Sequence, residues 1–269
     1  MIKNLIKQYI PEALLMILTK LYSVIIFRDK PKYTEPPREL DTISCVIGYN
    51  KFGGYCIPKN SINRPAVQTT LRGKVWEEQT IKFILENYSS GDIVHAGTYF
   101  GDFLPALSIN CADESVIWAF EPVREHYICA QMTLLLNNIV NVNLAHSGLG
   151  DEGSKFSMLI KDDKGGSLGG ASSIVNRRDN TTIESYETIN TVRLDDIIPK
   201  DRSISVIHLD VEGFEQLALD GAMKIIKDNL PLLILETLPE FDWLETNLFA
   251  LGYKNHAVIA GNTVLKHHL

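Results

Sequence analysis

The stretch Ser90–Glu121, SGDIVHAGTYFGDFLPALSINCADESVIWAFE, constrains the fold of this 269-residue chain more than any other. It reads as strand, tight glycine loop, helix, strand. Ile93-Val94-His95-Ala96 is an apolar run that suits a buried parallel strand. Gly97 and Gly101 follow in the pattern Ala-Gly-Xaa-Xaa-Xaa-Gly. The first lets the chain turn where a Cβ would clash, and a side chain there is expected to intrude on a bound ligand. The second lets backbone approach a ligand or pack a helix close to the sheet. Phe103–Cys111 has helical apolar spacing, and Val116–Phe120 is a second strand ending in Glu121-Pro122. An acidic residue at that strand tip, about 20 positions beyond the glycines, is placed to accept hydrogen bonds from ribose hydroxyls. The unit is the first half of a Rossmann-like nucleoside site.

The remaining chain extends this unit into a doubly wound α/β sheet. Before it, Lys74–Tyr88 has the pattern of a helix, and Ile43–Ile57, with Gly48, Gly53 and Gly54, reads as a β-ribbon. Segment 43–75 is expected to cover the mouth of the site. After Glu121, helical patterns at Glu125–Asn137, Gln216–Asn229 and Phe241–Leu251 alternate with strands at Val140–Ala145, Ile204–Leu209 and Leu232–Leu235. Further strands are expected at Phe156–Ile160 and Glu187–Leu194, with the glycine- and serine-rich Lys161–Ser173 between them as a lid or a plain linker. Tyr253–Ile259 and Thr263–Lys266 form a closing hairpin, an antiparallel addition unlike a nicotinamide dehydrogenase.

Residues 1–42 stand apart as an N-terminal helix and linker. Ile2, Leu5, Ile6, Tyr9, Ile10, Ala13, Leu14 and Ile17 recur at helical spacing among lysines, and Pro31–Pro37 is a linker. Glu12 and Lys20 leave the apolar run too short to span a bilayer, and no small-residue cleavage site follows. Segment 1–32 reads either as a basic amphipathic helix on an anionic membrane surface or as a helix packed on the domain or on a second subunit of a homo-oligomer. The net charge of −7 weighs against nucleic acid as a partner. None of the four cysteines, Cys45, Cys56, Cys111 and Cys129, forms a CxxC or zinc spacing, and a reducing cytoplasmic compartment is expected.

The glycine loop His95–Asp102, Phe120-Glu121-Pro122, Leu194-Asp195-Asp196 and His208-Leu209-Asp210-Val211-Glu212-Gly213-Phe214-Glu215, continued by Gly221-Ala222 and Pro231–Glu236, occur here in one order. In this the chain, over roughly residues 76–265, resembles the FkbM-type S-adenosylmethionine-dependent methyltransferases. The resemblance implies a Rossmann-like class I methyltransferase domain over 76–269, S-adenosyl-L-methionine as cofactor, and O-methylation of a hydroxyl on a sugar, glycan or related small molecule. Where the family commonly has an aspartate near the start of the glycine loop, this chain has His95-Ala96; where it often has lysine before the Asp-Val-Glu-Gly run, this chain has His208.

With that cofactor, Gly97, Thr98, Tyr99 and Gly101 are expected at its methionine end, Asp102 and Glu77 near its amino-acid head, Glu121 on the ribose diol, and Ser147, Gly148 and Leu149 beside the adenine. A hydroxyl acceptor loses a proton during attack, so a base belongs at the carboxyl end of a central strand. His208 and Asp210 are the candidates, two residues apart on one strand face, and histidine titrates nearer neutrality. Glu212 and Glu236 are expected to orient substrate. No compact metal-ligand motif occurs, although His208, Asp210 and Glu236 offer ligand atoms for a divalent ion. Two other classes share these features: a nicotinamide-dependent oxidoreductase or nucleotide-sugar enzyme, and a non-catalytic binding module on the same fold.

Overall fold

The computed structural model describes residues 43–88, 90–161, 168, 173–174 and 186–267. The expected helix at 1–32, its linker and most of the glycine-rich loop after Lys161 lie outside the described residues. In chain order the elements are β1 (Cys45–Asn50), β2 (Gly53–Pro58), α1 (Pro65–Leu71), α2 (Glu78–Asn87), β3 (Asp92–Ala96), α3 (Leu104–Asn110), β4 (Ile117–Phe120), α4 (Arg124–Leu136) and β5 (Val142–Ala145). They continue with β6 (Gly148–Leu149), β7 (Lys155–Leu159), β8 (Ser173–Ile174), β9 (Tyr186–Val192), α5 (Leu194–Ile197), β10 (Ile204–Leu209), α6 (Glu215–Asp220), α7 (Met223–Asn229), β11 (Leu232–Leu235), α8 (Phe241–Asn247), β12 (Tyr253–Ile259) and β13 (Asn262–His267).

Seven strands form the main sheet in the order β12-β13-β11-β10-β3-β4-β5. From β11 to β5 all pairings are parallel, and the closing hairpin joins antiparallel through β13. The central strands are apolar because both faces are covered. Successive residues alternate between two cores. Val94, Trp118, Phe120, Ile207 and Leu209 pack under α6, α7 and α8, whereas Ile93, Ile117, Ala119 and Val206 pack under α2 and α3. Asp92 opens β3 fully buried and accepts hydrogen bonds from Trp118 Nε1 (2.8 Å), Val116 N (2.9 Å) and the Arg202 guanidinium. Burial pushes the Asp92 pKa up, but those donors outweigh it and hold the carboxyl below its ordinary value.

Three local outcomes differ from the sequence expectation. The helix before β3 starts at Glu78, not Lys74, because Glu77 turns into the left-handed region with φ 42°. The expected single helix over Gln216–Asn229 is two, α6 and α7, broken at Gly221-Ala222. An ideal Cβ on Gly221 would lie 2.0 Å from the Gly150 carbonyl oxygen, so only glycine lets that loop approach. Finally, β6, β7, β8 and β9 form a separate four-stranded sheet in the order β6-β9-β7-β8.

The strand order reverses between β3 and β10, and in open α/β sheets ligands bind at the carboxyl ends of the strands flanking such a reversal. Here the glycine loop after β3 and the loop after β10 touch. Asp210 N donates to Ala96 O (3.1 Å), and a Cβ on Gly97 (φ 84°) would lie 1.8 Å from Asp210 O. Gly97 is therefore required for backbone packing, because an added side chain would first meet the Asp210 carbonyl oxygen.

Candidate active site

A cleft of about 370 Å³ opens above this reversal. Of the residues expected at a cofactor, Glu77, Gly97, Tyr99, Asp102, Glu121, Gly148 and Leu149 line it. Thr98, Gly101 and Ser147 do not. The Thr98 hydroxyl turns back to His95 O (3.2 Å), Gly101 packs on Ala130, and Ser147 is buried with an unpartnered hydroxyl.

Glu121 is fixed by its own neighbourhood. Oε2 accepts from Tyr99 N (2.7 Å) and Oε1 from Val123 N (2.8 Å), with His126 Nδ1 at 3.6 Å from Oε1. Two backbone donors hold the buried carboxylate in place, and each oxygen keeps lone-pair capacity for a hydroxyl donor. Beside it, Val123, Met158 and Ile189 form an apolar cluster, and with Leu149 they supply a wall suited to a flat base. Met158 and Ile189 belong to the small sheet and were not singled out from sequence. The alternation in YETINTV, which buries Ile189 and Thr191 on one face of β9, is the signal that marks them.

At the other end of the cleft carboxylates gather. The Glu77 carboxylate accepts from the Thr80 hydroxyl (2.9 Å) and Asn262 Nδ2 (3.0 Å). Burial first, and then Glu77, push the buried Asp102 carboxyl up to about 7. Asp210, Glu212 and Glu236 each place an oxygen within 4.8 Å of the others. Burial raises the Asp210 carboxyl far above its ordinary range, and its hydrogen bond to Glu236 raises it further. Burial, Glu236 and Glu215 bring Glu212 to about 7. The loop that delivers these groups turns through two left-handed residues, Glu212 (φ 53°) and Gly213 (φ 91°). Glu215, the last residue of the motif, is buried and accepts from Val211 N (3.3 Å), so it holds the loop and does not line the cleft. Asp195, from the other acidic motif, accepts from the N–H groups of Lys224 (3.1 Å) and Ile225 (3.0 Å) and anchors the start of α7. Among the described residues, three of the six non-glycine residues with positive φ, Glu77, Tyr99 and Glu212, line the cleft, where backbone strain commonly concentrates.

His208 lies elsewhere than expected for a base. It is buried among the residues under α3 and does not line the cleft. Its Nδ1 is 2.9 Å from Nδ1 of His95, the neighbour in register on β3, and Phe103 stacks on both rings. Burial keeps His208 neutral down to about 4, and His95 is likewise held well below its ordinary value by burial and by His208. Alternation along β10 turns His208 into the sheet core, whereas Asp210 has already left the strand, so the two do not share a face toward the cleft.

A doubly wound sheet, a glycine loop at its reversal point and a fixed carboxylate after the second strand define a Rossmann-like nucleoside-binding fold. Residues 95–255 match the Methyltransferase FkbM domain. The chain belongs to the FkbM methyltransferase family. Among solved structures it is similar to the methyltransferase FkbM from Methylobacillus flagellatus KT, at 20% identity over 66% of this chain and 44% of that one, with a TM-score of 0.44. The chain thus spans less than half the length of that relative. It is also similar to a SAM dependent methyltransferase from Aquifex aeolicus (13% identity, 71% of this chain and 89% of that one, TM-score 0.35). A third similarity is to M. jannaschii TYW2 in complex with AdoMet (11% identity, 88% and 92%, TM-score 0.43). No curated protein matches the sequence.

Proposed function

We propose that this methyltransferase transfers the methyl group to a hydroxyl of a sugar, glycan or related small molecule, with Asp210 as the base. The observation that carries this reading is the position of Asp210. It stands at the carboxyl end of the central strand β10, lines the cleft, and lies beside Glu236. A carboxylate whose proton affinity has been raised by burial and by a neighbouring acid is a stronger acceptor for a hydroxyl proton than an exposed one. Glu212 and Glu236 border the same space and orient the acceptor through its other hydroxyls. His208, buried beneath the cleft, serves the packing of β10 on β3.

The bound cofactor supplies an electrophilic methyl group on a positively charged sulfur. The chain supplies the rest. Glu121 fixes the ribose, the wall of Leu149, Met158 and Ile189 fixes the base, and Glu77 and Asp102 meet the ammonium. Much of the rate enhancement in such a displacement comes from alignment of the reacting atoms. The acidic lining suits a cationic cofactor, because six carboxylates in one cleft repel one another until positive charge enters.

The test is transfer of labelled methyl to a panel of sugars, nucleotide sugars and glycans, with the product position read by mass spectrometry. Label on a sugar oxygen supports the reading. Label found only on amine, carboxylate or carbon acceptors removes it.

A further inference from the structure

Arg64 lies outside residues 95–255, on the segment that precedes the methyltransferase match, yet it lines the cleft. The lining is otherwise strongly acidic, with Glu77, Asp102, Glu121, Asp210, Glu212 and Glu236. Among the described lining residues Arg64 is the one permanent cation: His95 is held neutral, and His126 sits against Glu121. Despite these surroundings the half-buried guanidinium forms no ion pair within 4.0 Å and no side-chain hydrogen bond with any described residue.

The backbone beneath it is firmly placed. Arg64 N donates to Ser61 O (2.9 Å), Arg64 O accepts from Gln68 N (2.9 Å), and Gln68 Nε2 donates to Ile62 O (2.6 Å). Ala66 and Val67, which follow it, pack in one apolar cluster with Tyr55, Tyr99 and Phe100. That cluster seats the segment on the glycine loop. Arg64 is consequently close enough to Tyr99 and Glu212 to lower the proton affinity of both. Its charge thus acts on both the glycine loop, at Tyr99, and the loop after β10, at Glu212.

A guanidinium fork with no partner among the described residues, in an otherwise anionic cleft, is matched to an oxyanion that it can bind bidentately, a carboxylate or a phosphate. We propose that Arg64 binds the α-carboxylate of the cofactor's amino-acid head. The zwitterion is then read at both poles, with its ammonium toward Glu77 and Asp102 and its carboxylate on Arg64. The proposal rests on S-adenosylmethionine as cofactor and not on the nature of the acceptor. An anionic group on the acceptor has the same chemistry, and the experiment separates the two sources.

The full chain and its Arg64→Ala and Arg64→Lys variants are titrated calorimetrically with S-adenosylhomocysteine and with methylthioadenosine, which keeps the nucleoside and thioether but lacks the amino-acid head. Loss of a charge-assisted bidentate contact is expected to weaken S-adenosylhomocysteine about ten- to a hundredfold in Arg64→Ala, with Arg64→Lys between. Methylthioadenosine affinity is expected to stay at the wild-type value in both. Unchanged S-adenosylhomocysteine affinity overturns the proposal and leaves an anionic group on the acceptor as the guanidinium's ligand. An equal loss for both ligands also overturns it, by showing that Arg64 supports the nucleoside site. Wild-type protein that binds neither ligand removes the cofactor assignment itself, and Arg64's role with it.

Discussion

Asp210 and His208 sit two residues apart in the sequence and in different worlds in the structure. Asp210 lines the cleft beside Glu236, whereas His208 is buried in the sheet against His95 and Phe103. The expected consequence is kinetic. Asp210→Asn should lower kcat by about 10²–10⁴-fold, the usual size of general-base catalysis, while S-adenosylhomocysteine affinity holds. His208→Asn should leave kcat near wild type and lower thermal stability, since it disturbs a buried hydrogen bond. A His208→Asn enzyme that keeps its stability, loses turnover and loses the acid limb of its pH–rate profile would return the base role to histidine. Glu121 was legible from sequence because strand, glycine loop and acid occur at fixed spacing. Asp210 against His208 was not, because the face a strand-end residue presents depends on where the strand stops.

Among the elements, the glycine loop and the β10 loop depend on each other. Gly97→Ala should cost about 2–4 kcal/mol, combining left-handed strain with a backbone clash against Asp210 O. Gly213→Ala is the internal control. Its φ is also positive at 91°, but nothing lies within 4 Å of the added Cβ, so about 1 kcal/mol is expected. Denaturant unfolding of both variants checks the difference, and equal costs would contradict the packing role of Gly97. The parallel strands were readable as apolar runs, and the closing hairpin as two alternating segments around Gly261. The small sheet was not, because β6 and β8 are two residues each and take their pairing from β9 and β7. The break between α6 and α7 was hidden too: the helical pattern runs through Gly221, and only the approach of Gly150 interrupts it.

At the level of the molecule, cofactor binding and proton binding are linked. In the free protein Asp102 and Glu212 are pushed up to about 7 by burial and neighbouring acids, so both are partly protonated at neutrality. A cation entering the cleft lowers both values. Affinity then rises with pH through about 7 and is lost as pH falls below it, because protons must leave before the cation binds. Titration near pH 7 in buffers of different ionisation enthalpy should show net proton release, reduced in Asp102→Asn. Net uptake would contradict this electrostatic picture. Among the described residues no helix is long and apolar enough to cross a membrane.

In the proposed function Glu121 holds S-adenosylmethionine in the cleft by its ribose. Calorimetric titration of wild type and Glu121→Ala with S-adenosylmethionine and with NAD tests it most directly. The expected result is saturable S-adenosylmethionine binding in the wild type and a loss of about ten- to a hundredfold in a folded Glu121→Ala protein, since a hydrogen bond to a charged group is worth about 1.5–3 kcal/mol. Tight NAD binding with no S-adenosylmethionine binding, or equal S-adenosylmethionine affinity in the two proteins, would contradict it.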